Sequence, residues 1–255
     1  MSPYDLPQLD CHAHIAPDAT PPQIASLDGA LVFAMTRTPA EAHAAARRKD
    51  DTLAWGFGAH PGLPAALDSV DDSILVRAVA AHAVIGEVGL DRRGAYGEQR
   101  GVLEVVLSAC SGRPVLLSLH STGRTRELLD LLKQQSHPGA ILHWFNGSPD
   151  EIAEGIELGC YFSVNHAMTD ERLELVPQSR MLPETDFPSS QGKTLASKPG
   201  DTAALERRLA QRDGVLPAAV RRGWYRNLGR LIDSVGGRSR FAEPFQRALE
   251  AAARE

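Results

Sequence analysis

A chain of 255 residues, 43% hydrophobic and 23% charged, can bury the core of one full barrel or of two small domains. Its formal net charge of −5 disfavours a protein that coats long nucleic acid by neutralising phosphates, since such proteins are basic. A nuclease stays open, because bound dications would concentrate positive charge where a scissile phosphate sits.

Short apolar runs alternate with segments of helical period, the pattern of repeated βα units. Strands are expected at Leu6–His14, Ala30–Met35, Leu53–His60, Ala83–Leu90, Pro114–His120, Ala140–Phe145, Cys160–Val164 and Met181–Asp186. Between them, helices are expected over Pro39–Arg48, Asp71–His82, Gly97–Ser111, Arg124–Gln135, Pro149–Leu158 and Asp170–Val176. Thr38 before Pro39 and Ser148 before Pro149 mark two starts, and Gly159 marks an end. The first connection carries Pro17, Pro21 and Pro22, so its helix should be short or absent. Beyond Pro188 the polar segment Ser189–Thr202 reads as a mobile loop. Ala203–Arg212 and Ala218–Val235 read as closing helices, and Phe241–Glu255 as a terminal helix or tail. Eight strands in this alternation predict a single-domain TIM-type (β/α)8 barrel with its core in residues 6–188, although a doubly wound sheet shares the local signature.

Cys11, Cys110 and Cys160 have no short-range spacing and read as reduced thiols of a cytoplasmic protein. Met1–Asp10 lacks a basic region followed by an apolar run, so no signal peptide is visible. No apolar stretch approaches the roughly 20 residues that cross a bilayer, and a soluble protein is expected.

Ligand-type residues gather at the strand ends. Side chains alternate along a strand, so His12 and His14 share a face and can reach one metal. Glu87 lies on the fourth strand, His120 ends the fifth, His143 lies late in the sixth and Asp186 closes the eighth. In a βα barrel these ends converge on one mouth. Four imidazoles and two carboxylates suit two divalent ions (Mg, Mn or Zn) with one carboxylate bridging. A single histidine at a strand end is usually packing or surface, and His82, His137 and His166 are read so. Six ligand-type residues in strand order are a far stronger signal.

These segments also carry a resemblance. Asp10-Cys-His-Ala-His14 resembles the opening Asp-x-His-x-His of the TatD-type metal-dependent deoxyribonucleases. Gly58-Ala-His-Pro61 is similar to their Gly-x-His-Pro, and Gly86-Glu-Val-Gly-Leu-Asp91 to their Gly-Glu-x-Gly-Leu-Asp. Leu119-His120, His143-Trp-Phe-Asn-Gly147 and Glu184-Thr-Asp-Phe-Pro188 follow in the family's order, and Tyr225-Arg-Asn-Leu resembles its last helix. The resemblance implies a TIM barrel that hydrolyses DNA with metal ions, often as an exonuclease. It implies one ion on His12, His14, Glu87 and Asp186, and a second on Glu87, His120 and His143. His60 would sit near the substrate phosphate as a binding or catalytic group. Glu87 and Asp186 would serve catalysis as well as ligation, Asp186 by taking a proton from water.

The chain departs from the family after His120, where Ser121 and Thr122 follow; after Asp91, where Arg92 and Arg93 replace aromatics; and at Ser189-Ser-Gln-Gly-Lys193. Arg92, Arg93 and Lys193, which follow strands at the expected mouth, are candidate substrate-binding cations. Other basic runs, Arg47-Arg-Lys49, Arg207-Arg208 and Arg221-Arg222, read as solvated helix faces. Trp144 should face away from the ligands on its strand and act in packing. Leu119-His-Ser121 and Gly159-Cys-Tyr-Phe-Ser-Val164 resemble a TatD-like branch that accompanies ATPase and nucleobase-modifying partners in the bacterial Qat anti-phage system. Two rivals stand beside the nuclease. One is an amidohydrolase cleaving a C–N or C–O bond, whose barrels often bridge their metals with a carboxylated lysine on the fourth strand. The other is a barrel kept only to bind partners in a defence assembly.

Overall fold

The computed structural model describes residues 6–189 and 192–254. Met1–Asp5, Ser190, Gln191 and Glu255 lie outside the described residues. They include part of the stretch read for a leader, two positions of the expected mobile loop and the end of the expected tail.

All eight expected strands form: β1 (Leu9–Ala13), β2 (Leu31–Met35), β3 (Leu53–Phe57), β4 (Val84–Gly89), β5 (Leu116–His120), β6 (Ala140–Leu142), β7 (Tyr161–Val164) and β8 (Met181–Pro183). They pair in parallel in chain order, with no strand out of sequence. The ends of the sheet meet where the Asp186 N–H donates to the His12 carbonyl at 2.9 Å and the His14 N–H to that of Phe187 at 2.7 Å. A (β/α)8 barrel is the result, as the alternation predicts.

Helices α1 (Pro21–Ala25), α2 (Pro39–Ala45), α3 (Pro64–Leu67), α4 (Asp72–Ala81), α5 (Tyr96–Cys110), α6 (Thr125–Gln134), α7 (Pro149–Glu157) and α8 (Asp170–Leu175) fill the connections. The starts obey local chemistry. Thr38 accepts from the Glu41 N–H, and Ser148 with Glu151 forms a capping box, each followed by proline in the first turn. The first connection holds a five-residue helix only. Helix α3 was not expected from the sequence; at four residues it is too short to show a period. Helices α9 (Ala203–Asp213), α10 (Pro217–Ser234) and α11 (Glu243–Ala253) complete the ring. Gly214, at φ 65, ends α9 in the left-handed conformation that favours glycine.

The main core lies between strands and helices, with Phe33, Ile85, Leu128, Phe162 and Tyr225 fully enclosed. Asn227 of α10 donates to the carbonyls of Gln178 and Met181 at 2.6 and 2.8 Å, fixing the approach to β8. The basic runs supply arginines to the scaffold: Arg48 holds Asp50 and two carbonyls, Arg208 holds Asp170, and Arg221 holds Glu206. No helix among the described residues is long and apolar enough to cross a membrane.

Five strands stop earlier than expected, β1 and β4 by one residue and three others by more. β3 ends before His60, β6 before His143 and β8 before Asp186. Each of these residues therefore sits on the loop just past its strand, where the chain turns into the mouth. Asp186 (φ 49) and Trp144 (φ 35) adopt left-handed backbone there, a conformation that side-chain-bearing residues avoid and that concentrates at functional sites.

Candidate metal centre at the barrel mouth

The mouth is a cavity of about 700 Å³ whose floor carries His14, His60, Glu87, His120, His143 and Asp186. His12, on β1, is fully buried beneath it, its ring stacked on His143 with centroids 3.5 Å apart. Glu87 stands at the centre. Its Oε2 lies 3.8 Å from His12 Nε2 and 3.4 Å from His14 Nε2, while Oε1 lies 2.6 Å from His120 Nδ1 and 3.7 Å from His143 Nε2. Asp186 Oδ1 adds a second carboxylate 3.6 Å from His14 and 3.9 Å from His12. The six residues expected to ligate are thus brought together.

Close backbone packing makes room for this. A Cβ on Gly58 would lie 1.8 Å from the Thr36 carbonyl oxygen, and one on Gly86 would lie 2.7 Å from Ser118 Cβ. Gly58 and Gly86 allow β3 and β4 to approach their neighbours closely enough for His60 and Glu87 to share one floor.

The outer nitrogens of the rings are already committed. His14 Nδ1 donates to the Met35 carbonyl at 3.1 Å, and His12 Nδ1 bonds Ser118 Oγ at 2.8 Å. His143 Nδ1 donates to Glu184 Oε2 at 2.8 Å, and His120 Nε2 donates to Asp91 Oδ2 at 2.9 Å. Glu184 is itself held by Ser163 and Asn165, and Asp91 by Arg93. This is how metal-binding imidazoles are oriented, with the distal nitrogen anchored to a carboxylate or carbonyl. The inward atoms lack such anchors: His12 Nε2 and Glu87 Oε2 are buried without a hydrogen bond, and His120 Nδ1 faces Glu87 Oε1. Orphaned buried polar atoms are costly, and His12 Nε2 and Glu87 Oε2, 3.8 Å apart, fit a cation between them.

His60 is different. Its Nε2 lies 3.5 Å from Glu87 Oε1, and with Glu87 and His120 it forms a triad near enough to hold an ion. Its Nδ1, however, accepts the Gly62 N–H at 2.9 Å. A neutral ring that accepts at Nδ1 carries its proton on Nε2, so His60 presents a donor to the mouth, not a lone pair.

Electrostatics agree. Burial pushes His12 well below the usual imidazole range and also lowers His60. Burial opposes charge on His14 and His120 too, but the adjacent carboxylates outweigh it and carry them up to about 10 and about 9. Burial would raise Glu87, yet the surrounding imidazoles, His120 foremost, hold it well below the usual carboxylate range. A cation would compete with protons for the same inward positions.

Arg92, Arg93 and Lys193 all line the cavity, as does Arg37, which sequence reasoning passed over. Arg93 engages Asp91 through Nε at 2.9 Å, so part of its guanidinium serves His120. Asp91 and Glu184 were also overlooked, although both lie in the quoted motifs; a motif marks a position without saying what it will touch. Trp144 requires a correction. With β6 ending at Leu142, strand alternation no longer governs it, and Trp144 packs against the core, as expected, while also lining the mouth. The three cysteines are free and buried.

A family model described as TatD related DNase matches residues 9–233. A putative deoxyribonuclease TATDN3 from Mus musculus is 31% identical over 161 residues, 58% of this chain and 55% of the mouse protein. A 3'-5' ssDNA/RNA exonuclease TatD from Klebsiella pneumoniae (strain 342) is 33% identical over 128 residues, 45% of this chain and 49% of its own. The chain spans about half the length of the curated relatives it matches. Among solved structures, YJJV, a TatD homolog from Escherichia coli k12, superposes with a TM-score of 0.73 at 22% identity over 88% of this chain and 98% of that one. A hydrolase TatD family protein from Entamoeba histolytica gives 0.70 at 14% identity over 89% and 99%. At these identities the likeness is one of fold.

Proposed function

The chain belongs to the TatD related DNase family, and from that membership and the geometry of the mouth we propose that it is a metal-dependent hydrolase of phosphodiester bonds, acting at the ends of single-stranded or short DNA. The observation that carries this reading is Glu87, whose two oxygens face two different sets of imidazoles. One divalent ion would be held by His12, His14, Glu87 and Asp186, and another by Glu87, His120 and His143. The imidazole-rich set favours Zn or Mn over the oxygen-preferring Mg.

Such ions supply an acidified water and offset the charge that builds at phosphorus during in-line displacement. The chain's own groups do the rest. Asp186, exposed to the cavity and beside His14, accepts the proton of the attacking water. Nε2–H of His60 donates to a phosphate oxygen or hands a proton to the leaving group. Arg92, Arg93, Lys193 and Arg37 hold phosphates next to the scissile one.

Substrate choice follows from charge and shape. At a net charge of −5, with four basic side chains on the mouth, the protein has few contacts to grip long duplex, whose binding scales with phosphates neutralised. A concave mouth admits a strand end more readily than a rigid double helix. The Klebsiella relative's name, a 3'-5' ssDNA/RNA exonuclease, supports the same substrate class. The rival bridge by a carboxylated lysine has no lysine to use, since β4 reads Val-Ile-Gly-Glu-Val-Gly. Partners of the Qat kind rest on the sequence resemblance alone; co-purification with an ATPase from the native host tests them.

The test is incubation of end-labelled linear single-stranded, duplex and circular single-stranded DNA with Mg or Mn. Metal-dependent shortening of linear single strands that spares circles is expected, with no activity in Asp186→Asn. Equal cutting of circles and linear strands would overturn the end-directed reading. Activity surviving in Asp186→Asn would overturn the assigned chemistry.

A further inference from the structure

Resting on that strand-end reading, we propose that Trp144 is a nucleobase platform, seating the base next to the scissile phosphate. Trp144 directly follows His143 and lines the same cavity, whose floor would hold the phosphate. Apart from imidazoles it is the one aromatic ring among the residues lining the cavity, whose wall is otherwise polar or charged except for Leu63. It is half-buried and packed against the main core, which gives the exposed remainder a rigid backing.

The backbone is built to present it. Trp144 sits at φ 35, an unfavourable conformation for a bulky side chain. This turn sends successive side chains apart. His143 goes to the metal centre, while Phe145 goes into the core, edge-on to Phe162 at 5.6 Å between centroids. Asn146 Nδ2 donates to the Trp144 carbonyl at 3.0 Å and holds the turn. Packing alone would not need a strained tryptophan at a mouth of arginines and histidines. A ring beside a phosphate site is what a base needs, because every base has a face that stacks and sequence is not read.

The platform also accounts for a preference for single strands with few cations. Base stacking supplies affinity that phosphate contacts do not, and it is available only to an unpaired base, which excludes intact duplex.

Two measurements test the proposal. In the first, wild type, Trp144→Ala and Trp144→Phe are compared on a linear single strand and on the same strand with abasic residues at both ends. Trp144→Ala is expected to raise KM for the base-bearing strand about tenfold or more, the scale of one base–aromatic stack, with kcat changed less than about threefold. Trp144→Phe should recover part of the loss. On the abasic-ended strand, wild type and Trp144→Ala should agree. In the second, the dinucleotide d(TpT) should quench tryptophan emission in wild type and not in Trp144→Phe. An unchanged KM in Trp144→Ala, an equal loss on both strands, or absence of quenching would each overturn the platform. A wild type that cleaves neither strand would refute the hydrolase reading instead, and the quenching titration would still judge Trp144.

Discussion

Truncating Glu87 removes one oxygen from each set of imidazoles it faces and leaves Asp186 as the remaining carboxylate beside His12, His14 and His143. Glu87→Ala should therefore empty the centre of divalent ions, read by elemental analysis of dialysed protein; retention of the wild-type complement would mean that the bridge lies elsewhere. His60 makes the opposite prediction. Because its Nε2 carries the proton, His60→Ala should keep full metal occupancy while turnover falls by roughly 10²–10⁴-fold, the scale for losing an acid–base group. Loss of metal in that variant would make His60 a ligand. At this scale the sequence was most informative for the residues that face the mouth, since His12, His14, Glu87, His120, His143 and Asp186 announce themselves by type and position. Their supports were not legible. Ser118 is 106 positions from His12, and Glu184 is 41 from His143, pairings that only the closed barrel creates. Trp144 packs on the core as expected, but alternation does not govern a residue beyond the end of its strand, and it also lines the cavity.

Strand order, number and type were legible because a parallel strand covered by helices reads as a short apolar run between helical periods. Strand ends were not, since β3, β6 and β8 give way to turns at the residues that enter the mouth. The closure of the barrel was also hidden. It depends on Asp10, a fully buried carboxylate that accepts from the Thr185 N–H at 3.0 Å, the Thr185 hydroxyl at 2.6 Å, the Gly200 N–H at 2.8 Å and the His12 N–H at 3.2 Å. Asp10 thereby ties β1 to the end of β8 and to the segment before α9. Burial pushes its carboxyl up to about 7 against those donors, the mark of a group kept for structure at some cost. Asp10→Ala removes the acceptor shared by several buried donors and should lower the unfolding free energy by about 3–5 kcal/mol, measured by urea denaturation in EDTA. A change under about 1 kcal/mol would remove Asp10 from the closure.

For the molecule as a whole, two buried histidines outside the mouth contribute to acid sensitivity. His82 bonds the Trp55 carbonyl, and His137 bonds the Cys110 carbonyl while accepting the Gly139 N–H. Burial lowers both below the ordinary value of 6.5. A depressed folded-state pKa means the unfolded chain binds protons first, so their stabilisation is complete above pH 6.5 and is lost as pH falls below it. With metals removed, wild type should therefore lose more stability between pH 7.5 and pH 5 than a His82→Gln/His137→Gln variant; equal losses would contradict this. The central claim, that the mouth holds paired divalent ions at which a strand end is hydrolysed, is tested most directly by anomalous scattering from crystals soaked with Mn and a short single-stranded oligonucleotide. Two peaks are expected on either side of the Glu87 carboxylate, one among His12, His14 and Asp186 and the other beside His120 and His143, with a phosphate of the oligonucleotide against both. No peak, a single peak away from Glu87, or a peak ligated by His60 in place of His143 would contradict the account.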